Sequence, residues 1–235
     1  MAQLTESSHP GSYPQLKLGE KTVALLWIKK ASGIYPLGVA AALFASPGAS
    51  QATPLSFVDI DAHAISCLFS RNCKISSHDT AGDIPLPSSA SGKAWLRSRT
   101  FRGARGSPAA GKRGYQYQVD LTHATSLADA PCVTELALDF GEIIPLKYGS
   151  AGFANHGYVV ARGESPSVRL FAAETEGNII TFTFNEPVCA GINDGSGLAS
   201  YFVGVTSVHS PKSIVASIRL PGQPLVKVKA RVPDH

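Results

Sequence analysis

Seven cations, Lys93, Arg97, Arg99, Arg102, Arg105, Lys112 and Arg113, follow one another with no acidic residue among them. Trp95, Phe101, Tyr115 and Tyr117 are threaded through the run or flank it. Guanidinium groups beside aromatic faces are a common means of gripping sugars or bases. The cation draws anionic groups and the ring covers a flat face. A solvated strand and loop would carry the same residues with no partner at all, so both readings stand. Trp95, Arg97, Arg99, Arg102, Tyr115 and Tyr117 are the candidate ligand contacts. The partner expected for them is an anionic glycan or cell-envelope material, such as acidic polysaccharide, lipopolysaccharide or surface phosphate.

A second constellation is Asp59-Ile-Asp-Ala-His63. Side chains alternate along a strand, which puts Asp59, Asp61 and His63 on one face. Oxygen and nitrogen ligands at that spacing could hold a divalent metal. The plainer alternative is the solvent face of a first strand, with Val58, Ile60 and Ala62 turned inward. Asn193-Asp-Gly-Ser-Gly197 is too short for an EF-hand loop and reads as a hairpin turn, with a calcium-binding loop as the minor alternative. Gly106-Ser-Pro-Ala-Ala-Gly-Lys-Arg113 imitates a phosphate-binding loop, yet Arg113 stands where magnesium needs a hydroxyl. No apolar strand precedes it, and the residues after it alternate with period two. No cofactor is expected.

Hydrolase signatures are mostly missing: neither His-Glu-x-x-His nor Gly-x-Ser-x-Gly occurs downstream of residue 52. Asp120, Glu135, Asp139, Glu142, Glu174 and Glu176 are carboxylates suited to paired acid and base roles, but spacing does not choose a pair. His123, His156 and His209 have no defined partner. The chain reads as a non-catalytic protein acting through its surface. A secreted carbohydrate-active enzyme is the alternative.

The elements that position these residues are strands. Tyr115, Tyr117, Val119 and Leu121 share one face, and Gln116, Gln118, Asp120 and Thr122 the other. Similar alternation runs through 133–140, 178–184, 213–220 and 225–232. Further strands are expected at 57–65, 93–101, 157–162, 168–174 and 200–208. About ten strands separated by Gly, Pro, Asn and Asp clusters predict an all-β fold, an antiparallel β-sandwich with a jelly-roll-like arrangement. Residues 103–114 have no apolar period and read as a mobile loop.

Residues 1–52 read as an N-terminal extension and signal peptide. Lys29-Lys30 is a basic flank, 34–45 an apolar stretch of twelve residues, and a small-residue exit ends at Ala52. Twelve residues are too few to span a bilayer, so no stable membrane span is expected after cleavage. A start near Val23 would give that signal ordinary proportions. The expected mature protein, 53–235, is a single secreted domain, periplasmic or at the cell surface. Residues 1–52 hold four of the 21 lysines and arginines and two of the 17 acids, which leaves 17 against 15, a net +2. That balance gives no ground for a nucleic-acid partner. All four cysteines lie beyond residue 52, where an oxidising compartment would pair them. Three pairings are open; the favoured one is Cys67–Cys73 with Cys132–Cys189. A zinc site is the weaker alternative, because no Cys-x-x-Cys exists.

Several runs carry a resemblance: Tyr-Gln-Val-Asp-Leu-Thr (117–122), Ala-Pro-Cys-Val-Thr (130–134), Leu-Asp-Phe-Gly (138–141), Asn-Ile-Ile-Thr-Phe-Thr-Phe (178–184), Pro-Val-Cys-Ala-Gly (187–191) and Tyr-Phe-Val-Gly-Val-Thr-Ser (201–207). Over residues 115–220 the chain loosely resembles a group of exported bacterial β-sandwich proteins of unknown function, some with cell-surface sorting tails. The resemblance implies export, a Cys132–Cys189 bridge and a β fold. It transfers no activity. Several of those proteins have an Asp/Asn/Gly-rich loop where this chain has Tyr148–Asn155, which weakens a calcium argument.

Overall fold

Period-two alternation builds most of the chain. A computed structural model describes residues 51–149, 152–162, 168–193 and 195–235. The expected export segment therefore lies outside the described residues, apart from Gln51 and Ala52, as does Asp194 of the expected Asn193–Gly197 turn. The elements in chain order are β1 (Thr53–Pro54), β2 (Phe57–Asp61), α1 (Ala62–Phe69), β3 (Ser77–Asp83), β4 (Ala90–Arg102), β5 (Arg113–Ser126) and β6 (Cys132–Asp139). They continue with β7 (Gly157–Arg162), β8 (Leu170–Glu176), β9 (Ile179–Cys189), β10 (Gly191–Ile192), β11 (Val203–Ser207), β12 (Pro211–Arg219) and β13 (Val226–Pro233).

These strands form the expected all-β sandwich. One sheet has the order β1-β8-β9-β6-β12-β13 and the other β2-β7-β11-β5-β4-β3, with the short β10 beside β5. Pairing is antiparallel except for β2 with β7 and β10 with β5. Both hairpins of β3-β4-β5 stay in one sheet, as do β8-β9 and β12-β13. Elsewhere the chain crosses between the sheets, as it does after β5, β6, β7 and β11. The core lies where the inner faces meet. Phe182 of β9 packs edge-on against Phe57 at 6.0 Å and near Tyr117 at 6.3 Å, and Phe140 packs edge-on against Tyr115 at 5.4 Å.

The second sheet is covered on its outer face as well. Ile60, Ile65, Phe69, Phe101, Ala109, Tyr148 and Tyr158 form a separate buried cluster there. This corrects the strand expected at 57–65, which stops at Asp61. The Asp61 carboxylate accepts the Ala64 backbone N–H at 2.7 Å, a helix N-cap. Beyond it Ile65 and Phe69, four residues apart, lie buried on one face of α1. Two glycines make room for the layer. The Phe101 ring lies over Gly114 and the Tyr158 ring over Gly204, where any Cβ would collide with the ring at 2.3 Å and 2.2 Å.

One further expectation is corrected, and one strand is added. Residues 103–112 are a tied loop: Ala104 and Ala109 donate their backbone N–H groups to the carbonyls of Phe69 and Leu68. Those carbonyls belong to the last turn of α1 and have no helical donor of their own. Strand β3 was not expected at all, because Ser-His-Asp-Thr-Ala-Gly-Asp has no apolar alternation.

Both disulfides form in the favoured pairing. Cys132 and Cys189 face each other across β6 and β9, while Cys67–Cys73 fastens the end of α1 to the turn after it. Their sequence separations are 57 and 6. Loop-closure entropy makes the first worth about 4 kcal/mol and the second about 2 kcal/mol. Cys132→Ser should therefore lower the melting temperature more than Cys67→Ser, and equal losses by calorimetry would contradict this assignment.

Four tyrosines give the fold an alkaline limit. Burial pushes the Tyr115 phenol up to about 12, partly offset by Arg113 and Arg231. Burial also raises Tyr117, Tyr148 and Tyr158 above the ordinary phenol value. Below about pH 10 both folded and unfolded chains keep these protons, so the stability is intact there. As pH rises further the unfolded chain ionises first, and stability falls by about 1.4 kcal/mol per pH unit for each phenol. Urea midpoints should hold steady up to about pH 9 and drop steeply by about pH 11, with the phenolate absorbance of these four of the seven tyrosines appearing only on unfolding. A midpoint unchanged across that range would contradict the burial of these rings.

Candidate functional site

Strand β4 turns Trp95, Arg97 and Arg99 to the outer face, while Ala94, Leu96, Ser98 and Thr100 are buried. Register with β3 sets Asp79 opposite Arg99, Ala81 opposite Arg97 and Asp83 opposite Trp95. Phe202, just before β11, completes a groove of about 260 Å³ with Asp79, Ala81, Trp95, Arg97 and Arg99. Three of the sequence-predicted contacts, Trp95, Arg97 and Arg99, are thereby brought together. Asp79 and Phe202 were missed. Asp79 sits on a strand with no apolar signal, and Phe202 looks like one more apolar strand residue.

The groove is charge-balanced. Arg97 bonds the Asp120 carboxylate at 2.5 Å, and the Arg99 Nε reaches both Asp79 oxygens at 3.2 Å. The Arg99 guanidinium also lies 4.7 Å from the Phe202 ring centre, and that of Arg97 5.8 Å from the Trp95 ring. His123 packs edge-on to Trp95 at 5.5 Å. The result is two aromatic walls over a floor of paired donors and acceptors. Such a floor suits hydroxyl groups and planar apolar faces better than a bare anion.

Asp120, on the polar face of β5, is only 4 % exposed. It accepts from the Thr122 backbone N–H at 3.0 Å and from the Thr122 hydroxyl at 2.6 Å as well as from Arg97. Glu135 is bonded to Arg219 at 2.5 Å, and Asp139 meets the His235 ring at 3.1 Å. Each of these carboxylates is engaged by a neighbour.

The remaining predicted contacts lie elsewhere. Tyr115 and Tyr117 are fully buried, because their face of β5 is the inner one. Their hydroxyls donate to the carbonyls of His209 at 2.8 Å and Arg231 at 2.7 Å. They belong to the core and offer no ring to a ligand. Arg102 is exposed at the far end of β4 beside the loop at 103–112 and does not line the groove.

Asp59, Asp61 and His63 do not share a strand face. Asp59 is ion-paired to Arg169, Asp61 caps α1, and His63 lies in the first turn of that helix. The His63 Nε2 stands 3.5 Å from the Cys67 Sγ, and with Cys73 the three residues are close enough to share a metal. Both sulfurs are joined in the disulfide, so neither supplies a thiolate. Asn193 adopts φ +57° and donates its N–H to the Ser126 carbonyl, and the Gly195 N–H returns to Ile192. That is turn geometry.

Burial distinguishes the two ion pairs of the groove. Asp120→Asn should cost about 1–3 kcal/mol, since it weakens three charge-assisted hydrogen bonds of a buried carboxylate. Asp79→Asn, in a solvent-exposed pair, should cost under about 1 kcal/mol. Urea denaturation of both variants checks this, and an equal loss would contradict the difference in burial. Comparison with known proteins finds no matching family model, no matching curated protein and no matching solved structure.

Proposed function

We propose that this is an exported, non-catalytic β-sandwich that binds glycan through the groove between Trp95 and Phe202. The observation that carries the reading is the pairing of two aromatic side chains with two guanidinium–carboxylate pairs on one open surface. A sugar ring presents an apolar C–H face, which an indole or phenyl ring can cover, and a rim of hydroxyls that both donate and accept. Arg97, Arg99 and Asp79 supply partners of both kinds. Trp95 stands on β4, and Phe202 immediately precedes β11 of the same sheet with its carbonyl accepting the Val160 N–H, so the walls are fixed by backbone pairing and little ordering entropy is lost on binding.

Among the described residues, no helix is long and apolar enough to cross a membrane. Two disulfides fit an oxidising compartment and support an extracellular setting. The likeness of residues 115–220 to exported bacterial proteins points the same way. The engagement of Asp79, Asp120, Glu135 and Asp139 by neighbouring side chains favours binding over acid–base catalysis.

A glycan array read at low and high salt tests the proposal. Neutral oligosaccharides should be retained with little salt dependence and released unchanged. Trp95→Ala should weaken them on the order of ten-fold, the expected loss of one stacking wall. An array without hits, or hits that Trp95→Ala leaves intact, would contradict the groove. Product formation abolished by Asp79→Asn would favour the carbohydrate-active enzyme instead.

A further inference from the structure

The cations on and around the two ends of β4 divide into two sets with different fates. Arg97 and Arg99 are neutralised in the groove. Arg102, Arg105, Lys112 and Arg113 form no ion pair with a carboxylate of the described residues, and neither do Arg71 and Arg231.

These six gather at one end of the sandwich. Arg102 and Arg113 are directly opposed in the β4–β5 register. Like charges facing each other across a ladder are destabilising. Arg102 and Arg105 line an open cavity of about 590 Å³. The Arg71 Nε donates to the Gly106 carbonyl at 2.6 Å, which brings its guanidinium under the same loop. On the other side the Arg113 Nη2 donates to the Ser210 hydroxyl at 3.3 Å. Arg113 and Arg231 both lie near the Tyr115 hydroxyl and favour its ionised form. The Nε of Arg231 is buried with no hydrogen-bond partner, the one such side-chain atom among the described residues. A buried donor left unpaired is costly unless something else satisfies it. Asp234, whose backbone joins Ser210, is bonded to Lys212 at 3.3 Å.

We infer that this end of the sandwich, centred on Arg102, Arg105 and Arg113, is a second binding surface that docks an acidic polysaccharide. Several guanidinium groups without carboxylate partners at one end of the sandwich match carboxylates repeated along a polymer, and each contact releases counterions. The surface lacks what the other polyanions require. Phe101 and Tyr115, the aromatic residues of these strand ends, are buried, so no platform exists for stacking bases. Val208 is the one exposed large apolar side chain in the segments that carry the patch, too little to enter a lipid surface. The site is separate from the groove and does not need it.

The test is binding of polygalacturonate, with neutral dextran as control, to the intact disulfide-bonded protein across a salt series. Polygalacturonate should bind and dextran should not bind this surface, and affinity should fall on the order of ten-fold for a roughly four-fold rise in salt. Arg102→Ser with Arg105→Ser should weaken binding on the order of ten-fold and flatten the salt dependence, whereas Arg102→Lys with Arg105→Lys should keep most of it. Trp95→Ala should bind polygalacturonate as the parent protein does, even if it loses neutral glycans, so each site can fail alone. Equal binding of dextran through these arginines, or a serine double variant that keeps its melting temperature and binds unchanged, would overturn the inference. Duplex DNA or anionic vesicles captured through Arg102 and Arg105 in place of polygalacturonate would overturn it too.

Discussion

The structure depends on one strand being buried on both sides. Strand β5 sets Tyr115, Tyr117, Val119 and Leu121 against the other sheet, and Gln116, Gln118 and Asp120 beneath an outer layer. Water is thus denied to polar side chains on the outer face, and each must find a partner within the protein. Gln116 donates to the Tyr158 hydroxyl at 3.1 Å, Gln118 to the Ser200 carbonyl at 2.9 Å, and Asp120 accepts from Arg97 and Thr122. The Ser200 hydroxyl in turn accepts the Val119 N–H at 3.0 Å. Satisfying this strand fixes the path of the chain before β11, and with it Phe202. It also fixes the orientation of Arg97. The groove is therefore a by-product of solving the polar side of β5, held by the same bonds that hold the sheet.

How much of this was legible in the sequence follows from which residues carry a periodic signal. Tyr115 to Leu121 and Ile180 to Phe184 alternate apolar with polar, and both were read as strands. The two disulfides were legible because Cys67 and Cys73 are six residues apart and Cys132 and Cys189 sit at the ends of alternating segments. Strand β3 was invisible: it is an edge strand, held by its ladder to β4 with few apolar side chains of its own. The helix α1 was hidden by the accident that Val58, Ile60 and Ala62 extend the strand pattern across its cap. Asp61 marked the change, but an N-cap aspartate cannot be told from a strand aspartate without the fold.

The candidate site was half legible for the same reason. Aromatic and basic residues on β4 stand out by type, so Trp95, Arg97 and Arg99 could be singled out. What neutralises them could not, because Asp79 and Asp120 come from two different neighbouring strands. The tyrosines misled because type alone does not tell an inner face from an outer one when both are buried. Their alternation with Val119 and Leu121 carried the correct answer, and the chemistry suggested by an exposed ring did not survive it.

The division between paired and unpaired arginines has a structural cause in the length of β3. Its ladder with β4 runs from Asp83 opposite Trp95 to Ser77 opposite Phe101 and goes no further. Within that span Arg99 faces Asp79, while Arg97 faces Ala81 and turns instead to Asp120 on β5. Arg102 lies one residue beyond the ladder, where β3 offers nothing and the β5 neighbour is Arg113. A carboxylate at either position would have closed the sheet edge at lower electrostatic cost. Its absence leaves a strand end whose charge is unopposed within the protein, next to a loop whose backbone is occupied in capping α1. The loop holds Arg105 in place through hydrogen bonds that do not involve its side chain. A rigid backbone adds no loop-ordering cost when a polyanion arrives, so the entropy lost is confined to the cationic side chains. The sheet that neutralises its arginines at the groove thus leaves them unopposed at its end, and the boundary between the two is the last rung of β3.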